Sequence, residues 1–185
     1  SYSGMIIRKY VTADASKRSG ELYKSNQPWK VFRYGEILCN WAEASYELGL
    51  ISNNEMLKQE AFLHVAELRD RAGAKPHGLV ASPVEISADV NGYAIDENLQ
   101  FIRQERQREL TFENQGYWDL RTWRVFDARF KNFWAHCLMG YYVKDEKKYI
   151  FLPEVNPFGR QISFNKNQYY KNIPGYALLQ NPKLV

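Results

Sequence analysis

The stretch Ile102–Trp123, IRQERQRELTFENQGYWDLRTW, is the part of the chain that decides its fold. Side chains at helical spacing in and just before it predict a helix that starts near Asp96. They are Ile95, Leu99, Ile102, Arg106 and Leu110. Gly116 breaks the pattern, and residues Tyr117 to Phe126 are predicted to form a short further helix.

Charged residues of both signs alternate within this stretch. Glu105 and Arg108, and likewise Arg106 and Glu109, are three residues apart, so each pair can meet on one helix surface. A catalytic alternative would pair Glu105 with Glu109 or Glu113, as in a glycoside hydrolase. The neighbouring arginines favour ionised carboxylates, whereas a general acid needs a raised pKa. We therefore favour an ion-paired helix face over a catalytic pair.

Two tryptophans lie near the end of the stretch. Trp118 and Trp123 are five residues apart, so they cannot share one face of a helix. Exposed tryptophans would suggest a platform for sugars or bases, but we favour packing between helices. Asp119 is placed to cap its short helix, and together with Arg121 it is expected to join the ion network of the preceding helix.

Upstream, residues 30–73 are predicted to form two amphipathic helices joined as a hairpin. The apolar stripe of the first helix comprises Val31, Tyr34, Leu38, Trp41, Ser45 and Leu48, with Ile37 and Ala44 beside it. The stripe of the second comprises Leu57, Ala61, Val65, Leu68 and Ala72, with Phe62 alongside. Gly49 is the expected end of the first helix, and Gly73 stops the second. Asn53 or Asn54 caps the second helix.

The remaining segments have weaker patterns. Residues 1–29 are predicted to be irregular, residues 74–94 to form a long loop, and residues 95–126 to hold the signature helices. Residues 127–185 are predicted to be an irregular, loop-rich tail with a short strand at Lys148–Leu152. The sequence thus predicts one mainly α domain that contains a tetratricopeptide-like hairpin and long irregular loops.

The composition is that of an ordinary globular chain with an excess of aromatic residues. It has 13 Tyr, 10 Phe and 5 Trp among 185 residues, and a net charge of +4. The charges are interleaved, which argues against a nucleic-acid partner. No apolar run approaches the roughly 20 residues that cross a bilayer, and no signal peptide is expected at the start.

No motif for an enzyme, a metal or a cofactor is present in the sequence. The histidines His64, His77 and His136 lack metal-ligand spacing, and Cys39 and Cys137 form no CxxC pattern. Aromatic residues in loops are the remaining candidates, because flat rings with polar tips suit sugar rings and peptide side chains. The candidate ligand-binding residues are Trp29, Tyr93, Trp134 and Tyr142.

Four motifs, in the same order, resemble those of the SusD/RagB family. They are Arg33–Ala44, Leu68–Gly73, Ile102–Trp123, and Ile150–Pro153 followed by Asn172–Tyr176. The main matching positions are Arg33, Tyr34, Glu36, Glu105, Arg106, Glu109, Trp118, Asp119, Arg121 and Trp123. Gly35 departs from the pattern, since alanine is usual there. No ligand-binding residue of the family matches a position in this chain.

The resemblance implies a non-catalytic binding lipoprotein on the outer-membrane surface of Bacteroidetes-type bacteria, held by an N-terminal lipid anchor outside this chain. Such proteins capture oligosaccharides, or peptides in RagB-like members, and deliver them to a SusC-like TonB-dependent transporter. The chain would then be the C-terminal part of a longer SusD-like domain. A tetratricopeptide-type adapter that binds only protein partners is the alternative from another class.

Overall fold

The computed structural model describes residues 9–10, 28, 30–74, 86–131, 133–134, 136–155, 161–162, 164–170 and 175–181. Within these ranges the predicted mainly α fold is confirmed. The helices are α1 Tyr34–Ser52, α2 Glu55–Arg71, α3 Glu97–Glu109, α4 Gly116–Thr122, α5 Phe126–Arg129 and α6 Gly175–Gln180, with a 3-10 helix at Lys166–Tyr169. The strands are β1 Phe133–Trp134, β2 His136–Val143, β3 Lys148–Val155 and β4 Gln161–Ile162. They form two antiparallel pairs, β1 with β4 and β2 with β3.

Helices α1 and α2 form the predicted hairpin. Asn53 ends α1 in the left-handed conformation with φ 51°, and Asn54 caps α2 by accepting the backbone N–H of Met56 at 3.0 Å. The prediction that Gly49 ends α1 is wrong, because Gly49 is buried inside the helix. A Cβ at this position would lie 3.0 Å from the carbonyl oxygen of Asn54, so the close approach of the two helices requires glycine. Gly73, with φ +66°, follows the end of α2 as predicted.

The buried face of α1 differs from the predicted stripe. The buried residues are Gly35, Glu36, Leu38, Cys39, Ala42, Ser45, Tyr46 and Gly49. Leu38 and Ser45 confirm the prediction, but six of its members are exposed: Val31, Tyr34, Ile37, Trp41, Ala44 and Leu48. Burial follows the small residues because Ala42 and Ala61 are both fully buried where α1 and α2 approach each other. Trp41 is therefore left half exposed.

The main core lies where α3 crosses the α1–α2 hairpin. Asp96 caps α3, as predicted, by accepting the backbone N–H groups of Asn98 at 2.9 Å and Leu99 at 3.2 Å. The hydroxyl of Tyr46 donates to the same carboxylate oxygen at 2.8 Å, which ties α1 to the start of α3. The buried residues of this core are Ala42, Tyr46, Ala61, Val65, Leu99, Phe101 and Ile102.

A second core lies around α4 and α5. The predicted single helix from Tyr117 to Phe126 is two helices, because Arg124 adopts a left-handed φ of 60° between them. The buried residues of this core are Leu120, Val125, Phe126 and Tyr169. Tyr169 comes from the 3-10 helix, and its hydroxyl donates to Asp127 at 2.6 Å, so the C-terminal region contacts α5 directly.

The region that was predicted to be irregular contains a long β-hairpin. The predicted strand Lys148–Leu152 extends to Val155 and pairs with β2 over eight positions, from His136 opposite Val155 to Val143 opposite Lys148. The sequence hid this hairpin because Pro153 lies inside β3 and argues against a strand. Proline is tolerated here because the sheet has two strands among the described residues, so one edge of β3 has no partner strand in this part of the chain.

Candidate functional site

The signature stretch forms a network of buried ion pairs. Arg106 and Asp119 are 8% exposed each, and Arg106 Nε donates to Asp119 Oδ2 at 3.0 Å. A second nitrogen of Arg106 donates to the amide oxygen of Asn40 in α1. This confirms that Asp119 joins the ion network of the preceding helix. The predicted pair between Arg106 and Glu109 is wrong, because Arg106 points to α4 and α1 instead.

The guanidinium of Arg33 joins the start of α1 to the end of α3. It donates to Glu109 through one nitrogen, and its Nε lies 2.7 Å from Glu113 Oε2. Arg71 at the end of α2 donates to the same Glu109 oxygen. A Cβ at Gly35 would overlap the Arg33 guanidinium and lie 2.7 Å from Glu109 Oε1. Glycine at this position therefore makes room for the ion pair.

These contacts set the protonation of the two glutamates. Burial favours the neutral form of Glu109, but ion pairs with Arg71 and Arg33 outweigh it, so the pKa of Glu109 is lowered. Burial also opposes ionisation of Glu113, and Arg33 and Lys9 likewise leave its pKa lowered. A glycosidase acid needs the opposite shift, so this geometry disfavours the catalytic alternative.

Glu105, the third candidate acid, is also held by arginines. Arg69 donates to its carboxylate at 2.6 Å, and Arg108, three residues along the helix, donates to the same oxygen. The predicted pair between Glu105 and Arg108 is thus confirmed. Glu36 of the first motif accepts the side-chain amide of Gln115 at 3.3 Å. The matching charged residues hold α1, α2, α3 and α4 together.

Two signature residues on α4 behave differently from the prediction. Trp118 is 52% exposed, so it does not pack between helices. Arg121 stays outside the ion network: it donates to the backbone carbonyl of Tyr169 at 2.8 Å. Trp123 does pack, with the guanidinium carbon of Arg103 5.0 Å from its ring centre. The exposed ring of Tyr34 likewise plays no part in the core.

A cavity of about 340 Å³ lies between α3 and the α4–α5 region. Its polar wall is one side of α3 and the turn that follows it, formed by Gln100, Arg103, Gln104, Gln107, Arg108 and Thr111. Its other wall is formed by Ile86, Ile95, Leu120, Trp123, Val125 and Arg129. This volume is at the small end of the range that ligand pockets occupy, about 300–1,000 Å³. None of the four aromatic residues predicted from the sequence lines the described part of this cavity, although the polar residues of α3 recur at helical spacing in the sequence.

The candidate ligand-binding aromatics lie on separate elements. Tyr93 is 73% exposed at a turn in which Asp89 accepts its backbone N–H at 2.9 Å. Tyr142 is on β2, and its ring centre is 5.0 Å from that of Tyr149 on β3. Trp29 and the side chain of Trp134 lie outside the described residues.

The hairpin carries aromatic residues that the candidate set omitted. Because side chains alternate along a strand, Tyr142, Tyr149 and Phe151 share one side of the hairpin, which we call the aromatic face. All three are more than half exposed. Gly140, opposite Phe151, leaves space for its ring, since a Cβ there would lie 3.1 Å from it. The register that creates this face depends on the hairpin, which the sequence pattern did not reveal.

Other site types have little support among the described residues. No group of three or more His, Cys, Asp or Glu side chains is placed to hold a metal ion in this part of the chain. Cys39 is a free, buried thiol whose pKa burial raises to about 12, which leaves it protonated and unreactive at neutral pH. None of the helices that the structure describes is long and apolar enough to cross a bilayer.

Comparison with known proteins identifies a family but gives no individual relative. A sequence model of the SusD family matches residues 1–185. No curated protein and no solved structure matches the chain.

Proposed function

Because this chain belongs to the SusD family, whose members are generally nutrient-binding proteins associated with the outer membrane, we propose that it captures oligosaccharides at that surface. The family match confirms the resemblance to the SusD/RagB family that the motifs indicated. The family match over residues 1–185 is the observation that carries the proposal. Delivery to a SusC-like TonB-dependent transporter and attachment through a lipid anchor are parts of the same proposal.

The described residues support a binding role through surface chemistry. Tyr142, Tyr149 and Phe151 present exposed rings on one side of a hairpin, and Tyr93 presents another on a turn. Aromatic rings stack on the apolar faces of sugar rings, and tyrosine hydroxyls add hydrogen bonds. We propose that Tyr93 and Tyr142 contact the ligand, with Trp29 and Trp134 as further candidates. The aromatic face extends the proposed contact beyond Tyr142.

The charged signature supports a scaffold role instead. Its carboxylates accept hydrogen bonds from arginines that join the helices. This ion-paired arrangement differs from the pair of carboxyl groups that a glycosidase uses. Family members are generally binding proteins and not enzymes. The proposal therefore assigns recognition to exposed rings and structural support to buried charges.

Calorimetric titration of the purified protein with panels of oligosaccharides and short peptides tests the proposal. We expect heat of binding with at least one oligosaccharide, and formation of a complex with a SusC-like transporter in detergent. Binding of peptides alone would indicate a RagB-like protein. A lack of response to both panels would contradict the proposal.

A protein adapter is the second candidate, and one observation favours it. Tyr34, Trp41 and Leu48 on α1 are each at least half exposed, and exposed apolar rows of this kind mark protein contacts. The adapter predicts partner binding that is lost in Trp41→Ser, with no response to sugars or peptides. The oligosaccharide-binding protein predicts that Trp41→Ser retains the calorimetric response.

A further inference from the structure

The cavity between α3 and the α4–α5 region has an unequal distribution of charge. Three arginines line it, Arg103, Arg108 and Arg129, and none of the lining residues in the described chain is an acid. Polar amides and a hydroxyl extend this wall along α3. A pocket lined in this way favours a ligand that carries negative charge.

The three arginines differ in how far they are already neutralised. Arg103 donates to Glu43 and Glu47, at 2.8 Å each, and Arg108 donates to Glu105. These acids approach the two guanidinium groups without lining the cavity.

Arg129 differs from the other two arginines. Arg129 is the last residue of α5. Its side chain makes no ion pair or hydrogen bond with another residue in the described part of the chain. The acid nearest along its own helix, Asp127, accepts the hydroxyl of Tyr169 instead. Among the described residues nothing occupies the donors of Arg129, so they can bind a ligand group.

Apart from Arg129, the described residues of the wall opposite α3 are apolar. Leu120 and Val125 are buried residues of the second core, and the indole of Trp123 lies between them and Arg103. A ligand that fits must present an apolar side to this wall and an anionic group to Arg129. A sugar ring that carries a carboxylate combines the two, and a guanidinium binds a carboxylate through two parallel hydrogen bonds.

We propose that this cavity binds a uronic-acid unit of an oligosaccharide, with its carboxylate on Arg129 and its ring against apolar lining residues such as Ile86 and Ile95. The inference rests on the proposed oligosaccharide binding and narrows it to acidic sugars at this position. It adds a site separate from the aromatic face, because the cavity lies among helices and none of its described lining residues belongs to the hairpin.

The test compares galacturonic-acid oligosaccharides with galactose oligosaccharides of equal length by calorimetric titration. Arg129→Gln removes the charge but keeps a polar side chain, and Lys131→Gln removes a nearby exposed charge that does not line the cavity. We expect the acidic oligosaccharide to bind at least about tenfold more weakly to Arg129→Gln, because a charge-assisted pair is lost. Lys131→Gln is expected to stay within about twofold of the unmodified protein, since long-range charge effects are screened by salt.

Thermal unfolding of both variants shows whether they remain folded at the titration temperature. Equal binding of the acidic sugar to Arg129→Gln and the unmodified protein would overturn the assigned site. Binding of neutral oligosaccharides or acidic peptides without uronic-acid oligosaccharides would overturn the ligand class. If neutral oligosaccharides bind, the proposed function would still be supported. Failure of every oligosaccharide would overturn both proposals.

Discussion

The signature helices and the β2–β3 hairpin differ in how they use polar and apolar side chains. In the helices, Arg106 and Asp119 are buried as an ion pair beside a packed core. In the hairpin, aromatic rings such as Tyr149 and Phe151 are exposed, and the charged pair Lys148 and Glu146 lies in solvent. The most recognisable residues therefore support the fold, whereas the hairpin carries the exposed rings that we propose as ligand contacts.

The largest expected effect comes from breaking the buried pair in the helices. Arg106→Ala leaves the Asp119 carboxylate buried without its arginine, and we expect the free energy of unfolding to fall by about 3–5 kcal/mol. Lys148→Ala breaks an exposed pair and should cost at most about 1 kcal/mol. Urea unfolding of both variants checks the comparison. Similar losses of unfolding free energy in the two variants would show that the buried pair contributes no more to the stability of the fold than an exposed pair.

A double variant sharpens this result. Arg106→Met combined with Asp119→Leu removes both charges, so no unpaired charge stays buried. We expect it to be more stable than Arg106→Ala alone, because the penalty lies mainly in the charge left without a partner. A double variant that is no more stable than Arg106→Ala would indicate that shape, and not charge, dominates at this position.

The next effect tests the close approach of α1 and α2. A Cβ at position 49 would lie 3.0 Å from the Asn54 carbonyl oxygen, so Gly49→Ala should cost about 1–3 kcal/mol. At Gly116 the same change meets no atom within 4 Å and should stabilise the protein by about 0.4–1 kcal/mol. Thermal or urea unfolding measures both. A stabilising Gly49→Ala would contradict the packing of the hairpin.

A smaller effect is expected from acid. The pKa of Glu109 is lowered in the folded chain, so its ion pairs stabilise the protein above the unfolded-state pKa, near 4.5, and this stability is lost as pH falls through the folded value. Glu109→Gln lacks that contribution. We therefore expect a smaller drop in the urea midpoint between pH 7 and pH 3 in this variant than in the unmodified protein. Glu146→Gln, in the exposed hairpin pair, should keep the full drop; an equal drop in Glu109→Gln would contradict this account.

The sequence predicted the helical elements better than the faces that they bury. The bounds of α2 and the start of α3 followed from caps and spacing, with Asp96 and Gly73 at the expected places. The predicted end of the third helix at Gly116 was wrong, because α3 ends at Glu109 and Gly116 begins α4. The stripe on α1 was wrong because periodicity gives weight to large apolar residues. In the structure, Ala42 and Gly49 set the contact, since only small side chains let two helices approach closely.

The sites were less predictable than the fold. The pairing of Glu105 with Arg108 is local, so spacing found it, but the pairing of Arg33 with Glu109 joins residues 76 positions apart. The aromatic face depends on a strand register that places Tyr142 opposite Tyr149. Apolar residues occur on both sides of that hairpin, so no alternation marked it in the sequence.

The most direct test of the central claim compares two exposed aromatic residues, one in each region. Tyr142→Ala removes a ring from the aromatic face, and Trp118→Ala removes a ring from the signature helix, where it is about equally exposed. Calorimetric titration with an oligosaccharide that binds should show affinity reduced about tenfold or more in Tyr142→Ala, and nearly unchanged in Trp118→Ala. Loss of binding in Trp118→Ala with retention in Tyr142→Ala would contradict the claim that the signature is scaffold and the hairpin is the binding surface.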